Sequence, residues 1–168
     1  MVWGAFAGTV KAPLLVWDRD SWGTVTKTSF LQHVYPIIRS FYGTYNAYLR
    51  QVLTPEELGF NSSPAIFQQD NAPVHAAHDV QLQLQNDNIT TLRWPANSPD
   101  LNLIEAVWNK MKHRINRRPQ RPTSREAMAA AVLEEWDAIT EDELHELIET
   151  MPLRILDVIN ANGGYTGW

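Results

Sequence analysis

The chain has 168 residues, 44% hydrophobic and 20% charged. That balance suits one globular domain burying roughly 70% of its extended-state surface, and it excludes wholesale disorder and collagen-like repeats. There is no cysteine, which excludes disulfides, thiol nucleophiles and sulfur-ligated zinc. The formal net charge is −5, which by itself argues against a polyanionic partner.

In chain order, residues 2–7 read as a short buried strand and Gly8-Thr9 as a turn. A second strand over 10–17 should run antiparallel to the first, because so short a turn leaves no room for a crossover. Lys11 and Pro13 interrupt this apolar start, so neither a signal peptide nor a membrane span of roughly 20 residues is expected. Residues 18–23 read as a polar loop. Helical spacing of Phe30, Val34, Ile37, Ile38 and Phe41 predicts a helix over 26–50, kinked or split at Pro36. A loop over 54–64 follows, marked by Pro55, Gly59 and Pro64. Ala65-Ile66-Phe67 predicts a buried strand running to Asp70. A helix over 74–86 should bury Val74, Ala77, Val80 (or Gln81) and Leu84, and a short strand over 89–93 follows.

Ser98 and Pro99 make a helix start. Leu101, Ile104, Trp108, Met111 and Ile115 then recur at steps of three or four, predicting an amphipathic helix that ends before Pro119. Further helices are expected over 124–138, with Met128, Val132 and Trp136 inward, over 141–150 and over 152–160. Strands alternating with helices in this order predict an α/β mixed sheet flanked by helices, in one domain spanning 1–168.

Two features bear on chemistry. Seven of the 14 Lys and Arg fall between Lys110 and Arg125, and nine acids with no Lys or Arg follow from Glu126 to Glu149. Such a block can face phosphates or simply line a solvated helix. Asp70 ends a buried strand, where α/β sites are commonly built. Glu105 sits one turn into the helix after Ser98, on a polar flank with Asn102, Asn109 and Lys112. Taken singly, Asp70 is explained as a turn residue, Glu105 as a solvated acid near a helix N-terminus and His75 as a structural hydrogen-bonder. Together, the two carboxylates are oxygen donors of the kind that hold Mg²⁺.

Gln68-Gln69-Asp70-Asn71-Ala72-Pro73-Val74-His75 resembles the motif around the second catalytic Asp of mariner-type transposases. Ser98-Pro99-Asp100-Leu101-Asn102-Leu103-Ile104-Glu105-Ala106-Val107-Trp108 resembles the motif holding that family's catalytic Glu, with Leu103 in place of a common Pro. The 34 residues between Asp70 and Glu105 match one major branch. Val2-Trp3-Gly4-Ala5-Phe6 and Asn162-Gly163-Gly164-Tyr165 resemble segments near the start and end of the domain.

The resemblance implies a ribonuclease-H-like fold and a DDE triad binding two Mg²⁺ or Mn²⁺. The implied reaction is hydrolysis at transposon ends followed by strand transfer. Asp70 and Glu105 would be metal-holding carboxylates, and His75 and Asn71 supporting residues. The cations Lys110, Lys112, Arg114, Arg117, Arg118 and Arg121 would lie along DNA. The partner implied is DNA, with a homodimer allowed, no small-molecule cofactor and a nuclear location. The family's first Asp lies on a strand upstream of the Val-Trp-Gly-Ala segment, which begins here at Val2. Asp18 and Asp20 follow the second strand and do not replace it. The family's end-recognising helix-turn-helix region also has no counterpart. The sequence is therefore expected to be an N-terminally truncated piece of the catalytic domain, lacking the first strand. The alternative is a catalytically dead fragment or DNA-binding relic.

Overall fold

The computed structural model describes residues 1–54, 57 and 65–168. It divides into two compact units, Met1–Val16 with Ser98–Trp168, and Trp17–Asn97. The fold is mixed α/β.

The first unit opens on the expected antiparallel hairpin, broken into four short strands: β1 (Val2–Trp3), β2 (Phe6–Ala7), β3 (Val10–Lys11) and β4 (Leu15–Val16). Val2 pairs with Val16 and Trp3 with Leu15, whereas Phe6 pairs with Lys11 and Ala7 with Val10. Between the two ladders Gly4 and Ala5 therefore face Ala12, Pro13 and Leu14, a bulge with one extra residue on the second strand. Pro13 has no N–H for a ladder, and a bulge is where a strand tolerates it. The Ala12 amide bridges the break by donating to the Ala5 carbonyl at 2.8 Å. Gly8 takes φ 54° at the hairpin tip, a left-handed conformation that glycine adopts without strain.

The helix expected from Ser98 is split. Pro99–Leu101 forms a 3₁₀ turn, Asn102 is extended, and α5 (Leu103–Asn116) begins after it. The predicted stripe holds its place: Met111 and Ile115 are buried. Val107 and Met111 join Trp136, Ile139 and Leu144 in the core, with Ile104, Trp108, Phe6 and Leu14 packed around them. The Trp108 and Trp136 rings stack with centroids 5.5 Å apart.

Helix α6 (Arg125–Asp137) is capped by Ser124, whose hydroxyl accepts from the Ala127 amide at 3.1 Å. Its buried residues are Ala131, Glu135 and Trp136, while Met128 is 41% exposed. The expected inward placing of Met128 thus fails. The inward face is shifted by a buried acid, Glu135, which meets Arg118, and apolar periodicity cannot register a charged inward residue. Lys11 closes the C-terminal end of α6: its ammonium donates to the carbonyls of Trp136 (2.6 Å), Asp137 (3.0 Å) and Ile139 (2.6 Å), groups that a helix end leaves without internal partners. Burial pushes the Lys11 pKa down. Helix α7 (Glu141–Glu149) starts with a capping box between Thr140 and Glu143. Helix α8 (Met151–Asn160) carries Pro152 in its first turn.

In the second unit, residues 19–22 form a short helix, α1 (Arg19–Trp22), where a loop was expected. Asp18 supplies the reason: its Oδ1 accepts from the amides of Asp20 and Ser21, the work of an N-cap. The long helix splits at Val34 into α2 (Lys27–His33) and α3 (Tyr35–Val52), with Pro36 in the first turn of α3, as the sequence predicts. Helix α4 (His78–Asn86) starts later than expected, because Pro73–His75 turn first. Phe30, Val34, Ile38, Val80, Leu84 and Ile89 are buried. The Tyr35 hydroxyl binds α3 to α4 through the Gln83 carbonyl and Asp87 Oδ2.

The strands expected over 65–70 and 89–93 shrink to one parallel bridge between Phe67 and Thr91. Helix α3 holds this pair: the Tyr42 hydroxyl donates to the Ala65 carbonyl and accepts from the Thr90 amide, and Asn46 Oδ1 accepts from the Ala65 amide. The loop expected over 54–64 lies, apart from residues 54 and 57, outside the described residues. Among the described residues no helix is long and apolar enough to cross a membrane.

Candidate active site

Asp70 follows the bridged segment, and its side chain is 52% exposed. Its Oδ1 accepts from the Ala72 amide at 3.1 Å and faces His75 Nδ1 at 2.6 Å. The first contact is the turn made by Asp before Asn71-Ala72-Pro73. The second fixes the imidazole, because a carboxylate can only accept and Nδ1–H must donate. The His75 ring is 19% exposed and lies 5.2 Å from the Phe30 ring. Its carbonyl accepts from Gln81 Nε2 at 2.7 Å. Asn71 Nδ2 donates to the Trp94 carbonyl at 3.0 Å, joining the loop after Asp70 to the loop after the second bridged segment. Both predicted supporting residues therefore contact Asp70 or brace its loop. Both contacts on the carboxylate fall on Oδ1.

Glu105 belongs to the other unit. It is exposed, in the first turn of α5, and its amide donates to the Asn102 carbonyl at 3.0 Å. Val107 and Met111 anchor the opposite side of the helix in the core. The helix N-terminus favours a negative charge at this position.

The basic block separates into two sets. Lys110 and Arg114 both reach Glu143 Oε1, Lys110 at 3.0 Å. Arg118 Nη1 meets Glu134 Oε2 at 3.0 Å, and its Nη2 meets Glu135 Oε1 at 2.6 Å. Burial raises the Glu143 pKa, but the Thr140 amide and the Lys110 and Arg114 charges outweigh it and leave the carboxyl below its usual value. Lys112, Arg117 and Arg121 are exposed and enter no ion pair among the described residues. The acidic run that follows the basic one in sequence is thus half of an internal clamp. The charge blocks signalled this pairing, which the sequence reading, weighing phosphates against a solvated helix face, did not name.

A hard divalent cation takes oxygen ligands, and the exposed carboxylates of Asp70 and Glu105 have that chemistry. Among the described residues no group of three His, Asp or Glu side chains is placed to hold a metal. The chain's own residues therefore fit part of a cation's ligand set.

A family model for the DDE superfamily endonucleases matches residues 24–128. The Tc1 transposase of Caenorhabditis elegans is 33% identical over 144 residues, which is 84% of this chain and 51% of that protein. The Tcb2 transposase of Caenorhabditis briggsae is 27% identical over 97% of this chain and 52% of its own length. The chain thus spans about half the length of the curated relatives it matches. Among solved structures, the Mos1 transposase catalytic domain with raltegravir and Mg superposes with a TM-score of 0.64 at 27% identity, covering 85% of this chain and 66% of that one. The Mos1 paired-end complex with the left transposon end gives a TM-score of 0.70 at 25% identity, over 98% of this chain and 44% of that one.

Proposed function

The chain belongs to the DDE superfamily endonucleases as a mariner-type transposase domain, and we propose that Asp70 and Glu105 are two of three carboxylates that grip divalent metal for phosphodiester cleavage and strand transfer in DNA transposition. The observation that carries this reading is the environment of Asp70: an exposed carboxylate after a bridged strand segment, with Oδ1 held by His75 and the Ala72 amide. The chemistry two bound Mg²⁺ or Mn²⁺ would supply is activation of a water or 3′-hydroxyl and stabilisation of the leaving oxygen.

The protein's part is positioning. His75 Nδ1 fixes the rotation of the Asp70 carboxylate through Oδ1, and Oδ2 would be available to hold a cation, the role partners of metal-bound carboxylates commonly take. Asn71 braces the loop against Trp94. Glu105 would supply its carboxylate from the first turn of α5. Lys112, Arg117 and Arg121 would meet phosphates of duplex DNA.

An assembly of two copies belongs to the same reading, supported by the likeness to the paired-end Mos1 complex, as does a nuclear location.

Calorimetric titration with Mn²⁺ tests the reading on this chain. The wild type should bind weakly, and Asp70→Asn and Glu105→Gln should each weaken binding at least tenfold, within the range for lost metal support. Unchanged affinity in both variants would refute it. A second reading, DNA binding without cleavage, is favoured by the lack of a three-membered ligand group among the described residues. Tight two-site Mn²⁺ binding by these residues would count against that reading.

A further inference from the structure

Two motifs far apart in the sequence meet in the first unit. Asp100 lies in the 3₁₀ turn just ahead of α5 and is 9% exposed. Its Oδ2 accepts from the Thr166 amide at 3.1 Å and from the Thr166 hydroxyl at 2.6 Å. Its carbonyl accepts from Arg154 Nη1 at 2.7 Å. Arg154, 5% exposed, also donates from Nε to the Thr150 hydroxyl at 2.8 Å, and its guanidinium lies 4.5 Å from the Trp168 ring centroid. Trp168 Nε1 donates to Asp157 Oδ2 at 3.0 Å.

Helix α8 and the residues after it thus hold Asp100 by both its side chain and its backbone. The tail reaches this place because α8 ends sharply. Asn162 and Gly163 take φ 51° and 77°, and the Gly163 amide donates back to the Val158 carbonyl, which ends a helix in the left-handed conformation. The acid that follows in this motif is Glu105, five residues on. The Asn102 amide closes the 3₁₀ turn on the Pro99 carbonyl, and the Glu105 amide donates to the Asn102 carbonyl. A rigid turn at 99–102 therefore sets the direction in which the first turn of α5 leaves.

We propose that the tail at residues 164–168 is a clasp on this turn, and that Asp100, Thr166 and Arg154 are positioning residues that aim Glu105. Fixing the turn holds a ligand within the few tenths of an ångström that a metal site needs. A free tail would leave the start of α5 to fray, as helix ends do. The bearing on metal binding rests on the reading of Glu105 as a ligand; the clasp itself does not.

The test compares Thr166→Val, which keeps the shape and removes the hydroxyl, with Thr166→Ser, which keeps the hydroxyl. Amide hydrogen exchange is followed along α5. Thr166→Val should speed exchange at 102–107 about tenfold, the scale of one lost hydrogen bond to a charged group. Exchange at 111–116 should stay unchanged, and Thr166→Ser should restore the wild-type pattern. Trp168→Phe, which keeps an aromatic ring but a smaller one, loses the Asp157 bond and weakens the contact with Arg154, should act in the same direction by about threefold. Unchanged exchange at 102–107, or equal acceleration along the whole helix, would overturn the clasp.

Mn²⁺ affinity separates the two claims. A loss in Thr166→Val that is restored in Thr166→Ser supports the positioning role. Wild-type affinity in Thr166→Val beside a loss in Glu105→Gln overturns the positioning role and leaves Glu105 a ligand. No loss in Glu105→Gln refutes the ligand reading, and the exchange pattern alone then decides the clasp.

Discussion

Gly4 sits in the bulged hairpin beside the Trp108 and Trp136 rings. A Cβ at this position would lie 2.9 Å from Leu14 Cδ1, 2.9 Å from Trp108 Cη2 and 3.1 Å from Trp136 Cη2. The Leu14 methyl can swing away, but the two indoles stack on each other, and neither ring can retreat without moving its partner. Trp136 is further tied through Nε1 to the Ala12 carbonyl at 3.1 Å. Gly4→Ala therefore overpacks a rigid contact, which costs about 2 kcal/mol, in the middle of the range for such changes. For a chain of this size that corresponds to a drop of about 4–8 °C in Tm. Thermal unfolding followed by near-ultraviolet circular dichroism, which reports the packing of the aromatic rings, Trp108 and Trp136 among them, measures it. A Tm within 1 °C of wild type, on the order of a few tenths of a kcal/mol, would refute the argument that glycine is required by the approach of these rings.

Four other expectations follow from the same unit. Lys11→Met strips a cation from three carbonyls at the end of α6 and should cost about 2 kcal/mol in a urea melt, the scale of hydrogen bonds to a charged donor. Because the folded-state pKa of Glu143 is depressed, its stabilising contribution is present above the unfolded carboxyl value of 4.5 and is lost as pH falls through the lower folded value. Glu143→Gln should accordingly flatten the decline in stability below pH 4.5, seen in melts from pH 7 down to about pH 3. Lys112→Met should lower the slope of log affinity for duplex DNA against log salt by about 0.9, one phosphate contact. Arg118→Met should leave that slope unchanged and lower the unfolding midpoint.

The helices were legible where one face is apolar. The stripe over Ile104, Trp108, Met111 and Ile115 faces the core as its spacing predicts, and Pro36 marks the break between α2 and α3. Reading failed where polar groups set local structure. Asp18 caps a helix across what reads as a loop. Asp100 is buried in the turn ahead of α5, which splits the helix expected from Ser98. Glu135 turns inward to Arg118 and carries Met128 outward. Each depends on a partner distant in sequence or on a side-chain bond to the backbone, neither of which periodicity detects. The expected strand over 65–70 was legible as a buried apolar run, yet only Phe67 makes a bridge among the described residues. For the candidate site, motif and spacing pointed to Asp70 and Glu105. The link between Asp70 and His75, five residues apart, emerged only with the turn at Pro73–His75. The basic run was visible at once, but its division between Lys110, Arg114 and Arg118 on one side and Lys112, Arg117 and Arg121 on the other depends on where Glu134, Glu135 and Glu143 fold to.

Paramagnetic broadening by Mn²⁺ in amide spectra of this chain bears most directly on whether the two acids share a cation. Sub-stoichiometric Mn²⁺ should erase signals around residues 69–72 and around 104–106 together, and Asp70→Asn should restore both groups at once. Broadening confined to one group, or two groups that respond independently to Asp70→Asn, would contradict a common metal site.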